Sequence, residues 1–214
     1  ILTFNTHKTL PGPNKGVIAF ADRNHPLAET MWETICPQLQ SNSHPECLPG
    51  LVIALEEIAN FGRAYGEQVL ANARTLAQVL HRNGLNVPGI EYGGTETHQV
   101  HVHLGPADVA NKAANELLPT CGIRTNSVLI PGTGGEFGLR LGTQALTRRG
   151  LTEVQFARLG RLLARALRWT ADPGRIRQQV ADLLANHPLY PLRFSFDEPA
   201  YGQHVERLLA EVLP

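Results

Sequence analysis

The chain has 214 residues, 43% hydrophobic and 18% charged, which is enough apolar length to bury a sizeable core in one large domain or two smaller ones. Nineteen basic side chains cancel nineteen acidic ones, so no basic tract offers a footprint for nucleic acid or an anionic membrane. No apolar run approaches the roughly 20 residues that span a bilayer. Cys36, Cys47 and Cys121 match neither a disulfide framework nor a zinc site, which points to a reducing, cytoplasmic setting and a small-molecule or subunit partner.

In chain order, Ile1 to Asn5 and Val17 to Ala21 are short apolar runs on either side of a Pro/Gly turn and predict two neighbouring buried strands. The sequence opens at Ile1 inside the first of these runs, which reads as a fragment of a longer chain. Lys8 leaves a strand end and enters a loop. Pro26 to Ile35 suits a short helix, and Cys36 to Pro45 is polar and proline-bounded, a loop rich in donors. From Leu48 to about His81, Leu51, Leu55, Ile58, Val69, Ala73, Leu76, Val79 and Leu80 recur at helical spacing, and Asn83-Gly84 is a stop signal. This predicts one long helix, with Gly62 its candidate bend.

Tyr92-Gly93-Gly94 marks a boundary between a domain of residues 1–90 and one of 91–214. Gln99 to Leu104 alternates as a half-buried strand should. Asp108 to Leu118 reads as a helix, followed by short strands near Gly122 to Arg124 and Gly138 to Gly142. Thr152 with Gln155 is a capping box for a helix reaching Trp169, with Val154, Leu159, Leu162, Leu163, Ala166 and Leu167 on its apolar side. Asp172-Pro173 caps the next helix, whose stripe is Ile176, Val180, Leu183 and Leu184, and a last helix covers Gln203 to Leu213. Trp32 and Trp169 fall in helical stripes and read as core; Arg148 and Arg149 read as surface charges.

Asn5-Thr6-His7-Lys8-Thr9-Leu10-Pro11-Gly12-Pro13 is the stretch that points to chemistry. A lysine at a strand end, held by a rigid turn beside an imidazole, suits Schiff-base formation with a carbonyl compound such as pyridoxal phosphate. His98, His101 and His103 raise a metal reading, but on a strand His101 and His103 share one face while His98 points to the other, so no metal site is expected.

Thr6-His7-Lys8-Thr9-Leu10-x-Gly12-Pro13 resembles the cofactor-lysine signature of serine hydroxymethyltransferases, fold-type I pyridoxal-phosphate enzymes. Further blocks follow in that family's order. Thr95-Glu96-Thr97-His98-Gln99-Val100 resembles the opening of its small domain, Asn126-Ser127-Val128 its Asn-Ser-hydrophobic turn, and Gly138 to Gly150 its arginine block, GLRLGTQALTRRG here. The resemblance covers about residues 1–190.

The resemblance implies an α/β fold, the C-terminal part of a fold-type I transferase: the end of the large domain with its long connecting helix over 1–90, and an α+β small domain over 91–214. It implies that Lys8 carries pyridoxal 5'-phosphate as an internal aldimine, with His7 beside it and Thr6, Gln40, Ser41 and Asn42 binding the cofactor. Arg140 would hold the substrate carboxylate and Asn126 would contact substrate. The segment Gln38 to Ser43 would reach across a homodimer, although Leu39, Ser41 and Asn42 stand where the family has glycine. Asn5 stands where threonine is typical, Leu129 replaces a proline, and the stretch from Asn126 to Arg140 is short. These departures weaken a tetrahydrofolate site more than a pyridoxal-phosphate one.

The implied activity is cleavage or formation of the Cα–Cβ bond of β-hydroxy-α-amino acids, serine or threonine to glycine. The alternatives are a folate-independent threonine aldolase or transaldolase, another fold-type I activity such as transamination or decarboxylation, and a non-catalytic dimerisation module. In the family, the groups that contact the cofactor ring lie upstream of the lysine, and only seven residues precede Lys8 here. Taken by itself, this stretch is expected to bind cofactor weakly and turn over little.

Overall fold

Leu2–Asn5 (β1) and Gly16–Ala19 (β2) pair antiparallel, Leu2 opposite Ala19 and Asn5 opposite Gly16, in a computed structural model that describes residues 1–42, 44–188 and 192–212. The expected pair of strands is present, but it is not buried: Leu2 is 61% and Ile18 is 38% exposed. A two-stranded ribbon has little of its own to cover its faces. Helix α1, Leu27–Glu33, follows, and Trp32 on it is 61% exposed, not core.

The predicted donor-rich loop begins later than its composition implies. Thr34–Leu39 form a wide helical turn interrupted at Cys36 (φ −131°, ψ 116°), closed by the Gln40 N–H donating to the Ile35 carbonyl at 2.8 Å. Ser43 lies outside the described residues. Helix α2 then runs unbroken over Leu48–Arg82, through Gly62, as its periodicity predicts.

Packing divides the chain into two compact units: residues 1–60 with the chain end from Gly202, and residues 61–201. In the first, Thr6, Ala54, Glu57 and His204 are all less than 9% exposed. His204 lies on the last helix, named below, with Nε2 3.9 Å from Glu56 Oε2 and Nδ1 2.9 Å from Arg207 Nη2.

The second unit holds the main core. Gln99–Gly105 (β3), Asn126–Leu129 (β4) and Phe137–Gly142 (β5) form an antiparallel sheet in the order β3-β5-β4. Val100, Val102, Leu139 and Leu141, each 7% exposed or less, point from one face into a cluster with Ala73, Leu76, Ala77 and Leu80 of α2. Between β3 and β4 run α3, Ala107–Lys112, a wide turn at Ala113–Leu117, and α4, Leu118–Thr120, together matching the expected helix. The strand expected near Gly122 to Arg124 is absent. Those residues end the helix instead, the Gly122 and Ile123 amides returning to the carbonyls of Pro119 and Leu118. The extended segment starts at Asn126, so Asn126-Ser127-Val128 is a strand bonded to β5 and not a turn.

After β5 come α5, Gln144–Arg148; α6, Glu153–Leu167; α7, Pro173–Leu184; and α8, Glu198–Val212. The Thr152/Gln155 capping box forms, the Thr152 N–H donating to Gln155 Oε1 at 3.0 Å. Asp172 caps α7 by accepting from the Arg175 N–H at 2.8 Å. Val154 and Trp169 leave the stripe assigned to them. Val154 is 74% exposed in the first turn of α6; Trp169 lies past its end with φ 54° and is 67% exposed. The last helix begins five residues earlier than its pattern predicts, and Leu213 lies outside the described residues.

Arg148 and Arg149 are half-buried and not free surface charges: the Arg149 guanidinium donates to the His187 carbonyl, and the Arg148 carbonyl accepts from the Arg193 N–H at 2.9 Å. Asn72 of α2 is fully buried. It donates to Thr147 Oγ1 at 2.8 Å and to the Leu151 carbonyl at 2.9 Å, while Thr143 Oγ1 reaches the Val69 carbonyl at 3.2 Å. The two threonines of the arginine block therefore fasten α5 to α2.

Tyr65 of α2, 5% exposed, donates to the Gln144 carbonyl at 3.2 Å, and burial pushes its phenol up to about 12. A folded-state pKa above the unfolded value of 10 means stability that is intact below pH 10 and lost as pH rises toward 12. Alkaline unfolding followed by circular dichroism is expected to show this fall, and Tyr65→Phe is expected to flatten it.

Candidate active site

Thr6 follows β1 directly and is completely buried. Its N–H donates to the Lys15 carbonyl at 3.0 Å, its carbonyl accepts from the Gly12 N–H at 2.7 Å, and its hydroxyl accepts from the Lys15 N–H at 3.2 Å and also bonds the Pro13 carbonyl. Gly12 is required for this closure, since a Cβ there would stand 2.8 Å from the Thr6 carbonyl oxygen. The TLPGP turn is thus a clasp that holds residues 6 to 15 in one shape. Thr6 is spent on that clasp.

Lys8 rides on the clasp, exposed, with no hydrogen bond or ion pair to its amine among the described residues. Within this chain the loop supplies rigidity rather than desolvation. His7 next to it is half-buried, and its Nδ1 is buried without a hydrogen-bond partner among the described residues. Gln40, Ser41 and Asn42 are exposed in the stretch after the wide turn. All of these belong to the first unit.

Arg140 and Asn126 belong to the second. Arg140 sits on the central strand β5, opposite His101 of β3 and opposite Asn126 of β4. Directly paired residues of an antiparallel sheet project to the same side. Arg140, His101 and Asn126 therefore stand in a row on the face away from the apolar core. Thr125 pins the strand from the edge, its hydroxyl donating to the Arg140 carbonyl at 2.8 Å. Arg140 is half-buried, and its guanidinium makes no hydrogen bond or ion pair among the described residues. Burial first, and then the Arg140 charge, hold the His101 imidazole below its ordinary pKa.

His103, one step along the same face, is already engaged: its Nε2 lies 2.6 Å from Glu136 Oε2 and its Nδ1 3.0 Å from Asn86 Nδ2. Among the described residues no three His, Cys, Asp or Glu side chains converge as metal ligands, and no helix is long and apolar enough to cross a membrane. The sequence reading missed the partnership of His101 with Arg140. The available signal was strand parity, which sets His101 and His103 opposite Val100 and Val102 on β3 and so on the face that any outward arginine of β5 would share.

Known proteins match this arrangement along the chain. The family model described as serine hydroxymethyltransferase matches residues 1–163. A serine hydroxymethyltransferase of Myxococcus xanthus is 35% identical over 201 residues, 90% of this chain and 47% of that protein. One from Thermococcus kodakarensis is 36% identical over 207 residues, 92% of this chain and 47% of its own length. The crystal structure of L-threonine transaldolase from Pseudomonas fluorescens, in its internal aldimine state, superposes with a TM-score of 0.88 at 41% identity, covering 95% of this chain and 47% of that one. The chain spans about half the length of the relatives it matches, and over that span both the lysine clasp and the arginine strand fall inside the matched family region. It belongs to the serine hydroxymethyltransferase family, on a fold-type I α/β framework.

Proposed function

We propose that this chain is the C-terminal part of a pyridoxal-phosphate enzyme that cleaves or forms the Cα–Cβ bond of β-hydroxy-α-amino acids, with residues 1–90 closing the cofactor domain and 91–214 forming the small domain. Two observations, one in each compact unit, support the proposal: among the described residues no hydrogen bond or ion pair engages Lys8 on its clasp, and none engages the Arg140 side chain on a central strand. The residues fit the cofactor. An exposed amine on a locked loop is open to an aldehyde, and the buried Nδ1 of His7 beside it, without a partner among the described residues, has a hydrogen bond to give or receive.

Pyridoxal phosphate, when bound, supplies the electron sink that lets the Cα–Cβ bond break to leave glycine and an aldehyde. Lys8 offers the amine that anchors the cofactor, and the Thr6 clasp keeps that amine from wandering. Gln40, Ser41 and Asn42 offer hydroxyl and amide donors to a phosphate, in the manner of a partner-reaching loop in a homodimer. Arg140 holds the substrate carboxylate with two parallel N–H donors, and Asn126 orients the substrate next to it.

A folate-independent transaldolase is the second reading, and the stretch after β4 favours it. Ile130 to Glu136 folds back on itself, the Ile130 N–H donating to the Glu136 carbonyl at 2.9 Å and the Thr133 hydroxyl to the Ile130 carbonyl at 2.7 Å, so the short stretch from Asn126 to Arg140 is used up in two strands and a tight turn. Product analysis on the protein that carries this chain separates the readings. Serine with tetrahydrofolate yields glycine under the first; threonine with an aromatic aldehyde yields glycine-unit transfer under the second. Turnover of neither, together with Lys8→Ala and Arg140→Ala variants unchanged except in stability, would leave the non-catalytic module. Arg140→Lys is expected to raise KM for the amino acid roughly tenfold or more, the worth of one charged hydrogen bond.

A further inference from the structure

The polar face of the three-stranded sheet holds more than a lone arginine. Gln99, His101 and His103 stand on β3, Arg140 on β5 and Asn126 on β4, and their states of engagement differ. Gln99 Nε2 lies 3.3 Å from His98 Nε2, and His103 is held between Glu136 and Asn86. His101 and Arg140 sit directly across from one another, both half-buried, and neither makes a side-chain hydrogen bond among the described residues.

A half-buried guanidinium without an acid, beside a half-buried imidazole without a partner, is a costly pair to keep. Among the described residues, the acid that reaches this face, Glu136, is already bonded to His103. The two side chains lie within the separation of directly opposite positions, Cβ atoms about 5 Å apart. An oxygen pair held by the Arg140 fork would also come within reach of a ring N–H on the neighbouring strand.

We propose that His101 is a second donor to the substrate carboxylate, its ring N–H bonding one carboxylate oxygen while the Arg140 fork holds the anion. This rests on the reading of Arg140 as the carboxylate holder. Burial first, and then the guanidinium, disfavour the charged form of the free imidazole, so a repelling charge beside Arg140 is discouraged before the anion arrives. Once a carboxylate neutralises Arg140, the imidazole gains an anionic neighbour and takes up a proton more readily. Among the described residues, the other titratable groups on this face are His103 and Glu136, bonded to one another, and β4 contributes the neutral Asn126. Carboxylate binding is therefore coupled to proton uptake at His101, and tightens as pH falls.

The test is a titration of glycine into the protein that carries this chain at pH 6 and pH 8, followed by the NMR signals of the Arg140 Nε–H and the His101 ring, repeated with His101→Leu and His101→Gln. Both signals are expected to move, with affinity severalfold higher at pH 6. His101→Leu is expected to bind more weakly by roughly tenfold or more, the worth of one hydrogen bond to a charged group, with no pH dependence. His101→Gln keeps a donor and so is expected to recover affinity without recovering the pH dependence, which a purely structural histidine would not produce. If the Arg140 signal moves while the His101 ring does not, or His101→Leu binds as the parent does, the role of His101 is overturned and that of Arg140 stands. If neither signal moves, the carboxylate reading of Arg140 fails and this inference with it.

Discussion

Lys8→Ala is expected to abolish covalent capture of pyridoxal phosphate and to cut turnover by on the order of 10³-fold or more, since a positioned amine is worth effective molarities of roughly 10⁵ M and upward. The check is borohydride reduction of the protein mixed with pyridoxal phosphate, followed by peptide mass analysis. The Lys8 peptide should carry the cofactor mass in the parent and no other lysine should gain it in the variant. Lys15 is the control, because it lies at the far end of the same clasp, where its backbone carbonyl and amide close on Thr6. Labelling spread evenly over Lys8, Lys15 and Lys112 would reduce Lys8 to an ordinary surface amine. Gly12→Ala separates rigidity from chemistry: it keeps the amine but drives a methyl against the Thr6 carbonyl, so capture is expected to weaken without vanishing.

Gly138→Ala is expected to be the most destabilising single methyl in the second unit. A Cβ at Gly138 would lie 2.1 Å from the Val102 carbonyl oxygen and 3.0 Å from the His103 Cα, all backbone of the neighbouring strand. No rotamer change relieves a clash with backbone, so β3 and β5 must separate or slip. The expected loss is about 3 kcal/mol or more, at the upper end of overpacking costs, read as a lower urea midpoint in chemical denaturation. The same displacement would pull His101 away from Arg140, because the two are held opposite by that ladder. A variant as stable as the parent would show that the strands can part at little cost.

The candidate site was partly legible in the sequence because one of its parts is local. The clasp closes between residues only a few positions apart, so Thr6, Gly12 and Pro13 announce it as a string. The long helix, the capping box of α6 and the Asp172 cap were legible for the same reason: each is set by side chains within a turn or two of one another. Errors fell where exposure depends on a distant neighbour. Trp32, Val154 and Trp169 have the right spacing for a core stripe but are 61%, 74% and 67% exposed. The segment Gly122 to Arg124 has strand-like residues, but the helix before it needed them for its end.

By itself, then, the sequence determined the main helices, the strands other than β4, the family blocks, and Lys8 and Arg140 as the side chains to watch. Only the tertiary structure decided which residues stand beside them. The threonines of the arginine block became fasteners for α5 because α2 presents Asn72 and the Val69 carbonyl to them across more than seventy positions of chain. His101 became the neighbour of Arg140 because an antiparallel register, invisible in either strand alone, set the two opposite. Local patterns record what a residue prefers; pairing and packing between distant segments record what it touches, and it is contact that makes a site.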